Sequence, residues 1–347
     1  MLVISFIFLL PLISSGPFWS KFVEPQIQNC RDTWWANMFY FSNFVGGEKM
    51  CITPYWYLAA DMQLYLISPI ALIAFYRWPR IGMCLTIFGV LASCVSIGAI
   101  TFWMDFTPSI VFFDVGRVRD MNDYIHYMPY IHLGPYCIGL AMGYLVLKYK
   151  AVKMKPVTVI VGWMVTTISC AAVVFGAYDW INDVTPNVVI GILYASVHRT
   201  VFALGLAWIT FASVNGYGGP VNALLSWKPF IVLGRLTYMT YLLHLLVIFV
   251  IAGSWKERQL FSQFEQACKF LVYLVISMGL AFISHLVLEI PFTKLERFIL
   301  PQPKPPKPVS NGCLEKQVGE MNGHALKPTT ENQSSSVSGD IEIVSKL

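Results

Sequence analysis

The feature that most constrains the fold is a set of long apolar runs. The run from Tyr55 to Arg77 is long enough to cross a bilayer as a helix, which takes about 20 residues. Runs of similar length follow at about 81–103, 130–149, 156–178, 193–213, 230–252 and 268–290. They are too long for barrel strands and lack strict alternation of apolar and polar residues. The chain therefore predicts an all-α, polytopic transmembrane helix bundle with seven full spans.

The composition agrees with this class. Of the 347 residues, 56% are hydrophobic and 12% are charged, whereas a soluble domain is about 25% charged. The net charge of +5 lies mainly in the connections and the tail, so it indicates membrane topology and not a nucleic-acid partner. No Cys/His spacing typical of a metal site separates the spans. We expect neither a metal nor a bound cofactor.

The remaining segments have distinct characters. Residues 1–15 are a short apolar segment, either a partial transmembrane helix or a signal-like segment. We assign 16–54 to an extracellular loop and 55–300 to the bundle. Residues 301–347 begin Pro-rich and become polar, which predicts a disordered cytoplasmic tail. Cys30 and Cys51 bracket the polar loop, so they are the expected disulfide pair.

Lys and Arg in the connections predict the orientation. If every span crosses once, the richer side holds Arg77, Arg80, Lys148, Lys150, Lys153, Lys155, Lys228, Lys294 and Arg297. The positive-inside rule makes that side cytoplasmic, together with the C-terminus. The membrane is either the plasma membrane or an endomembrane.

Asp61 and His244 are ionisable residues inside apolar runs. An ionised side chain at membrane depth is costly, so it is a functional-site hypothesis by default. The helical rise places both roughly 10 Å below the same boundary. An Asp beside a His can fix its tautomer for use as a general base. The pair could equally serve proton transport or an interhelical hydrogen bond, and Asp61 could lie shallow at interfacial water.

Other polar residues near the span ends have simpler interpretations. His126 and His132 are predicted to snorkel or cap at the interface. Arg199 is harder to explain in this way, because Thr200–Ser213 is otherwise apolar. Arg235 lies near the inner end of its span, where it could anchor the helix or bind an anionic headgroup. His285 and Glu289 are spaced i, i+4 and are expected to pair structurally.

Several motifs resemble a known family. They are CRDTWW, FSNF, YWYLAADMQLYLISP, HRTVFALGLAWITFAS, NGYGGPVNALLSWKPFIVLGRLTYMTYLLH and LEIPFTKLER. In this order over most of residues 16–300, they are similar to the nose resistant to fluoxetine proteins of invertebrates, a branch of the family-three membrane acyltransferases. The WYLAADMQ and YLLH elements are specific, since a generic apolar helix would not reproduce them.

The resemblance implies transfer of an acyl group, not an aminoacyl group, from an acyl-CoA co-substrate to an unknown small-molecule or lipid acceptor. It also implies membrane-lipid partners and a link to lipid or xenobiotic uptake. We expect His244, oriented by Asp61, to be catalytic. The expected substrate-binding residues are Gln63, Arg199, Arg235 and Tyr241.

The sequence departs from the family in one respect. Family members carry a secreted cysteine-containing domain and an early span with an Arg and a downstream His, the pair usually assigned to catalysis. These elements have no match here, so we expect a truncated member, a partial gene model or a short isoform. A transporter or lipid-uptake protein without acyl chemistry and an inactive isoform stay open. A seven-helix receptor is a third alternative, and no receptor signature supports it.

Overall fold

The computed structural model describes residues 2–13, 15–108, 115–149, 152–181, 187–256 and 262–299. Within these ranges the chain is helical and has no strand. Seven helices there are long and apolar enough to cross a membrane, which confirms the predicted all-α, polytopic bundle. The predicted tail, 301–347, lies outside the described residues.

Fourteen α-helices are described in these ranges. They are α1 (Leu2–Ile13), α2 (Trp19–Phe22), α3 (Glu24–Met38), α4 (Trp56–Arg77), α5 (Pro79–Trp103), α6 (Val115–Met121), α7 (Pro129–Lys148), α8 (Pro156–Phe175), α9 (Tyr178–Ile181), α10 (Val188–Val214), α11 (Gly219–Leu225), α12 (Lys228–Gly253), α13 (Gln263–Ser284) and α14 (Ile290–Ile299). Short 3-10 turns cover Ser42–Phe44 and Thr53–Tyr55, and π-helical segments cover Asn122–His126 and His285–Glu289.

Proline sets the start of several spanning helices. Pro79, Pro129 and Pro156 are the first residues of α5, α7 and α8. The first turn of a helix suits proline, because its missing N–H would have no partner there and its fixed φ matches the helix. At α10 the cap is a side chain instead: Asn187 accepts a hydrogen bond from the Val189 amide at 3.0 Å.

Helices α5, α7 and α10 pack closely through small residues. A Cβ atom added at Gly98 of α5 would lie 2.7 Å from Ser196 Oγ on α10. One added at Gly89 of α5 would lie 2.6 Å from Cys137 Sγ on α7. In a bilayer, where lipid chains are as apolar as leucine, such close backbone approach is a main source of helix association. These three helices therefore form a tight subgroup of the bundle.

The segment predicted as the loop 16–54 contains helices α2 and α3. Ile27, Cys30 and Ala36 are buried on α3, because they recur at helical spacing and give the helix a face to pack. The structure joins Cys30 to Cys51 by the disulfide that the sequence predicted. Cys30 and Cys51 belong to a buried cluster that also holds Leu243 of α12.

We call the end of the bundle that carries this disulfide the disulfide end. The start of α4 and the end of α12 lie there, since Gly253 approaches Trp19 of α2. The other end, where α4 meets α5 and α7 meets α8, is the opposite end. The short segment predicted over 1–15 is helix α1, whose Ile4, Ile7 and Leu10 are buried in the same cluster as the disulfide.

The chain divides into two compact units, Met1–Pro291 and Phe292–Leu347. The features described below belong to the first unit. Of the second unit, the structure describes residues 292–299, the greater part of α14.

Candidate functional site

His244 lies near the disulfide end of α12, half-buried and held by its own helix. Its Nδ1–H donates to the Tyr241 carbonyl at 2.7 Å, and the two rings are 5.7 Å apart. A carbonyl can only accept, so the neutral ring carries its proton on Nδ1 and leaves the lone pair of Nε2 open. This tautomer is the one that a general base at Nε2 requires.

Tyr241 is positioned by the start of α4. Its hydroxyl donates to the Pro54 carbonyl at 2.5 Å, and its ring meets Tyr57 edge-on at 5.7 Å. These contacts fix the register of α12 against α4. They also engage the hydroxyl of Tyr241, a residue that the sequence predicts to bind substrate.

Asp61 and His244 are not joined in the structure. The Tyr241–Pro54 contact aligns the two helices, and from that level His244 lies one turn towards the disulfide end. Asp61 lies about 10 Å in the other direction along α4, at 1.5 Å per residue. The Asp61 carboxylate is exposed, and no described residue hydrogen-bonds to it or forms an ion pair with it. The catalytic pairing of Asp61 with His244 stays a prediction.

Gln63 is engaged within the protein. Its amide N–H groups donate to the Tyr40 carbonyl at 2.7 Å and to Asn43 Oδ1 at 3.0 Å, and Asn43 donates back at 3.2 Å. Asn43 is almost fully buried. Gln63 thus ties α4 to the Ser42–Phe44 turn, and both of its donors are used.

Arg235 lies near the opposite end of α12 and is exposed. In the described ranges its guanidinium has no ion-pair or hydrogen-bond partner. It is therefore free to anchor the helix or to bind an anionic headgroup, the two roles considered for it. His285 and Glu289 form the predicted i, i+4 pair, with His285 Nδ1 and Glu289 Oε2 2.8 Å apart. The α13 helix runs from the disulfide end, so this pair lies towards the opposite end.

A second group of histidines gathers around Trp56, the first residue of α4. The Trp56 ring lies 4.6 Å from the His126 ring, 5.2 Å from the His132 ring and 5.6 Å from the Tyr127 ring. Its contact with His132 is stacked. We call these four residues the Trp56 cluster. They come from α4, from the π-helical segment and its following turn, and from α7.

The hydrogen bonds of the Trp56 cluster also fix a tautomer. His132 donates Nε2–H to the His126 carbonyl at 2.9 Å, so the lone pair of its Nδ1 is open. His126 Nδ1 is buried and has no hydrogen-bond partner among the described residues. Buried polar atoms are normally paired, so each exception needs an explanation.

Arg199 lies on α10 beside a cavity of about 110 Å³, which we call the Arg199 cavity. Its walls include Ile97 and Thr101 of α5, Ile125 next to His126, and His198 of α10. Arg199 Nη1 and Thr101 Oγ1 are both buried and lack a hydrogen-bond partner in the described part of the chain. Two unsatisfied polar groups therefore border one small space.

The positive charge of Arg199 reaches the Trp56 cluster. Burial, followed by the charges of Arg199 and His132, lowers the pKa of His126 to about 4. His126 is therefore neutral at pH 7. Burial, helped by the carboxylate of Asp123, raises the pKa of the Tyr127 hydroxyl. The aromatic and imidazole rings of the Trp56 cluster thus lie close to one fixed cation, Arg199.

Sequence reasoning did not find the Trp56 cluster. The sequence predicts that His126 and His132 snorkel or cap, but His132 donates to the His126 carbonyl and α7 has no side-chain cap. That prediction does not include the gathering of His126, His132 and Trp56. Their separation along the chain hides the contact. The usable signal was the spacing of His126 and His132 on either side of the Pro129 helix start, together with Arg199 in an apolar run.

Comparisons with known proteins agree with the fold and place the chain in a family. The chain is 30% identical over 302 residues to nose resistant to fluoxetine protein 6 of Caenorhabditis elegans, a match that covers 83% of this chain and 36% of that protein. It is 27% identical over 215 residues to regulator of hypoxia-inducible factor 1 of the same organism, covering 58% of this chain and 41% of that protein.

The chain thus spans about two fifths or less of the length of these curated relatives. No solved structure gives a significant match. A family model described as an acyltransferase domain matches residues 1–286, most of the bundle. This integral, multi-pass membrane protein belongs to that acyltransferase family.

Proposed function

We propose that the chain takes part in acyl transfer from an acyl-CoA donor to an acceptor hydroxyl at the disulfide end of the bundle. The observation that carries the proposal is a histidine of fixed tautomer, His132, in a partly buried cluster beside Arg199, a cation with no partner among the described residues. Family membership supports the reaction class. The donor and the acceptor are part of the proposal.

In the proposed reaction, a histidine removes the proton of the acceptor hydroxyl. The oxygen attacks the thioester carbonyl, and the tetrahedral intermediate expels the thiolate of the donor as the acyl group becomes an ester. A positioned general base contributes typically 10²- to 10⁴-fold to such a rate. His132 Nδ1 and His244 Nε2 are the two open lone pairs suited to this role.

The geometry favours His132 over His244. His132 lies in the cluster next to the Arg199 cavity, where unsatisfied polar atoms leave places for a substrate. His244 is close to Tyr241, whose hydroxyl is already engaged with Pro54. His244, the base predicted from the sequence, is the alternative to His132, and the experiment below distinguishes the two.

An apolar slot gives a place for the acyl chain. It has a volume of about 290 Å³ and lies between α5, α7 and α10, of which α5 and α10 also line the Arg199 cavity. Met83, Leu91, Met142 and Leu204 are among its lining residues. An acyl chain gains roughly 0.8 kcal/mol per CH₂ group that it buries away from water. The slot extends towards the opposite end.

We assign the disulfide end to the exterior. Disulfides persist in oxidising compartments, and Cys30–Cys51 marks this end. Lysine and arginine in the connections at the opposite end agree with a cytoplasmic location, and with it the C-terminus. Whether the membrane is the plasma membrane or an endomembrane is decided by localising the protein in cells.

The test is transfer of a labelled acyl group in membranes that contain the chain. His132→Gln is expected to lower the rate at least 100-fold, because glutamine cannot take up the proton. His285→Gln, at the opposite end, serves as the matched control and should keep the parent rate. A loss confined to His244→Gln would move the base to the residue predicted from the sequence. Absence of transfer by the parent would refute the proposal.

Uptake without acyl transfer is the second candidate function. One observation favours it. Of the described histidines, the one paired with a carboxylate is His285, which lies far from the Trp56 cluster, so neither candidate base is oriented by a carboxylate among the described residues. A transport protein needs polar groups along a path but no oriented catalytic base. Uptake of a lipid into vesicles that lack acyl-CoA would support this candidate, and complete dependence on acyl-CoA would exclude it.

A further inference from the structure

The Arg199 guanidinium is a largely buried cation that has no anion among the described residues. Its Nη1 atom is buried, and no described residue accepts a hydrogen bond from it or forms an ion pair with it. Guanidinium stays charged in proteins, so it cannot escape this cost by losing a proton. A buried charge without a partner is strongly unfavourable. The site therefore has a high intrinsic preference for an anion.

Three described acids of the disulfide end have other partners. Asp105 is held by Arg117 at 3.7 Å, Glu48 by Arg119 at 2.5 Å, and Asp123 by the Gly47 amide at 2.8 Å. Their partners keep them in the connecting segments. Rearranging them towards Arg199 would break these contacts.

A second donor faces the same cavity. Thr101 is 2% exposed, and its hydroxyl has no hydrogen-bond partner among the described residues. His198 also lines the cavity, but its Nδ1–H is donated to the Tyr194 carbonyl at 2.8 Å. Among the described residues, the hydroxyl of Thr101 and the guanidinium of Arg199 are thus the donors at this cavity that have no acceptor. They come from two helices, α5 and α10.

We propose that the Arg199 cavity binds one carboxylate or phosphate group, with Arg199 and Thr101 as its donors. The planar guanidinium matches both groups, because it offers two parallel N–H donors to two oxygens. The cavity volume of about 110 Å³ is well below the roughly 300–1,000 Å³ of pockets for drug-sized ligands. It suits one anionic group and not a whole nucleotide.

This inference deepens the proposed function, because the bound group would belong to the acyl donor, the acceptor or the acid product. The carboxylate of an acidic acceptor and the phosphate of a lipid headgroup share the required chemistry. Binding is measured without acyl transfer, so failure of the anion site and failure of the enzyme give different results. His132→Gln, for example, should abolish transfer and keep anion binding.

The test uses the full chain, purified in detergent, at constant ionic strength. Sodium acetate, inorganic phosphate and neutral acetamide are titrated while the midpoint of thermal unfolding is followed. A ligand that binds the folded state alone raises this midpoint in a saturable way. We expect saturable stabilisation by acetate, by phosphate or by both, and none by acetamide.

Two variants locate the effect, and one controls for it. Arg199→Gln should weaken the apparent affinity for the stabilising anion at least tenfold, and Thr101→Val at least threefold. Arg77→Gln removes an exposed cation at the opposite end and should match the parent. If Arg199→Gln does not fold, Thr101→Val, which keeps the side-chain shape, decides the matter.

The outcomes separate the ligand classes. Stabilisation by acetate alone assigns a carboxylate, stabilisation by phosphate alone assigns a phosphate, and either result supports the site. No saturable response to either anion, an equal response to acetamide, or parent-like affinity in both cavity variants would overturn the proposal.

Discussion

Two histidine-containing regions lie at the same end of the bundle and differ in how their polar atoms are satisfied. Near His244, the His244 Nδ1–H and the Tyr241 hydroxyl donate to carbonyls, and the buried Tyr55 hydroxyl beside them, which has no described partner, is neutral. Around Arg199 three buried atoms have no hydrogen-bond partner among the described residues, on Arg199, Thr101 and His126, and one of the three belongs to a cation. A native protein keeps few such atoms, and those it keeps need a reason.

The contrast indicates that the two regions have different roles, one in packing and one in binding. The His244 region packs against the disulfide and against helix α1, and its open buried polar group, the Tyr55 hydroxyl, is uncharged. The Arg199 region has a small cavity and a cation that has no anion among the described residues. Polar residues at membrane depth can therefore be scaffold in one place and a binding site a few helices away, and the charge of the open group distinguishes them.

The largest effect should come from the disulfide of the first region. The double variant Cys30→Ser, Cys51→Ser opens a loop with a sequence separation of 21. Loop-closure entropy then predicts a loss of about 3 kcal/mol in unfolding free energy. The measurement is the unfolding midpoint in detergent, with and without acetate or phosphate. The comparison predicts that the anion response survives the loss of stability, and its disappearance would show that the regions are coupled.

Arg199→Met should change stability in the other direction. Replacing a buried, unpaired charge by an apolar side chain of similar length is expected to raise the ligand-free unfolding free energy by about 1–3 kcal/mol. The same change removes the response to anions. Arg119→Met, at a surface ion pair with Glu48, is the matched control and should shift stability by less than about 1 kcal/mol. Destabilisation by Arg199→Met would mean that the guanidinium is satisfied within the protein.

The lowered pKa of His126 predicts a pH dependence. An unfolded histidine binds its proton near pH 6.5, whereas folded His126 does so near pH 4. Between these values the unfolded state binds more protons, so stability falls as the pH falls, and the contribution is fully present above about pH 6.5. His126→Gln should flatten this dependence by about 1–2 kcal/mol. Unfolding midpoints at pH 7 and pH 5 for parent and variant measure it, and parallel profiles would contradict the assignment.

Tyr241→Phe should have the smallest effect of the four. It removes the hydroxyl that holds α12 to the start of α4, and a hydrogen bond of this kind contributes about 1 kcal/mol. Tyr238→Phe, one turn earlier on α12 and more exposed, is the matched control. A loss of similar size in both variants would show that the effect does not come from the hydrogen bond to Pro54.

The sequence was sufficient for the architecture because apolar length is a strong signal. The span predicted over 156–178 is α8, Pro156–Phe175, and its first residue is marked by proline. The predicted i, i+4 pair of His285 and Glu289 is confirmed, since neighbours on one helix follow from the helical period. The disulfide pair was found from the polarity of the segment that it closes.

The site was harder to predict because it depends on helix rotation and register. Depth along a helix suggested that Asp61 and His244 meet, but depth does not say which way a side chain points, and Asp61 is exposed. The cluster of Trp56, His126 and His132 needs the packing of α4 against α7 and the turn before it. The local pattern of apolar residues determines neither the rotation of a helix nor its register against its neighbours.

The close approach at Gly98 has a consequence for ligand selection. Gly98 follows Ile97 and Ser196 follows Ala195, and both of those neighbours line the Arg199 cavity. Because Gly98 contributes no side chain at this level, α5 lies directly against Ser196 of α10, and this close approach limits how wide the cavity can be. An alanine there would have to displace Ser196, whose hydroxyl is held by the Ile192 carbonyl at 2.7 Å. Gly98→Ala, which replaces one hydrogen atom by a methyl group, would thus change the size of anion that the cavity admits and would alter neither Arg199 nor Thr101.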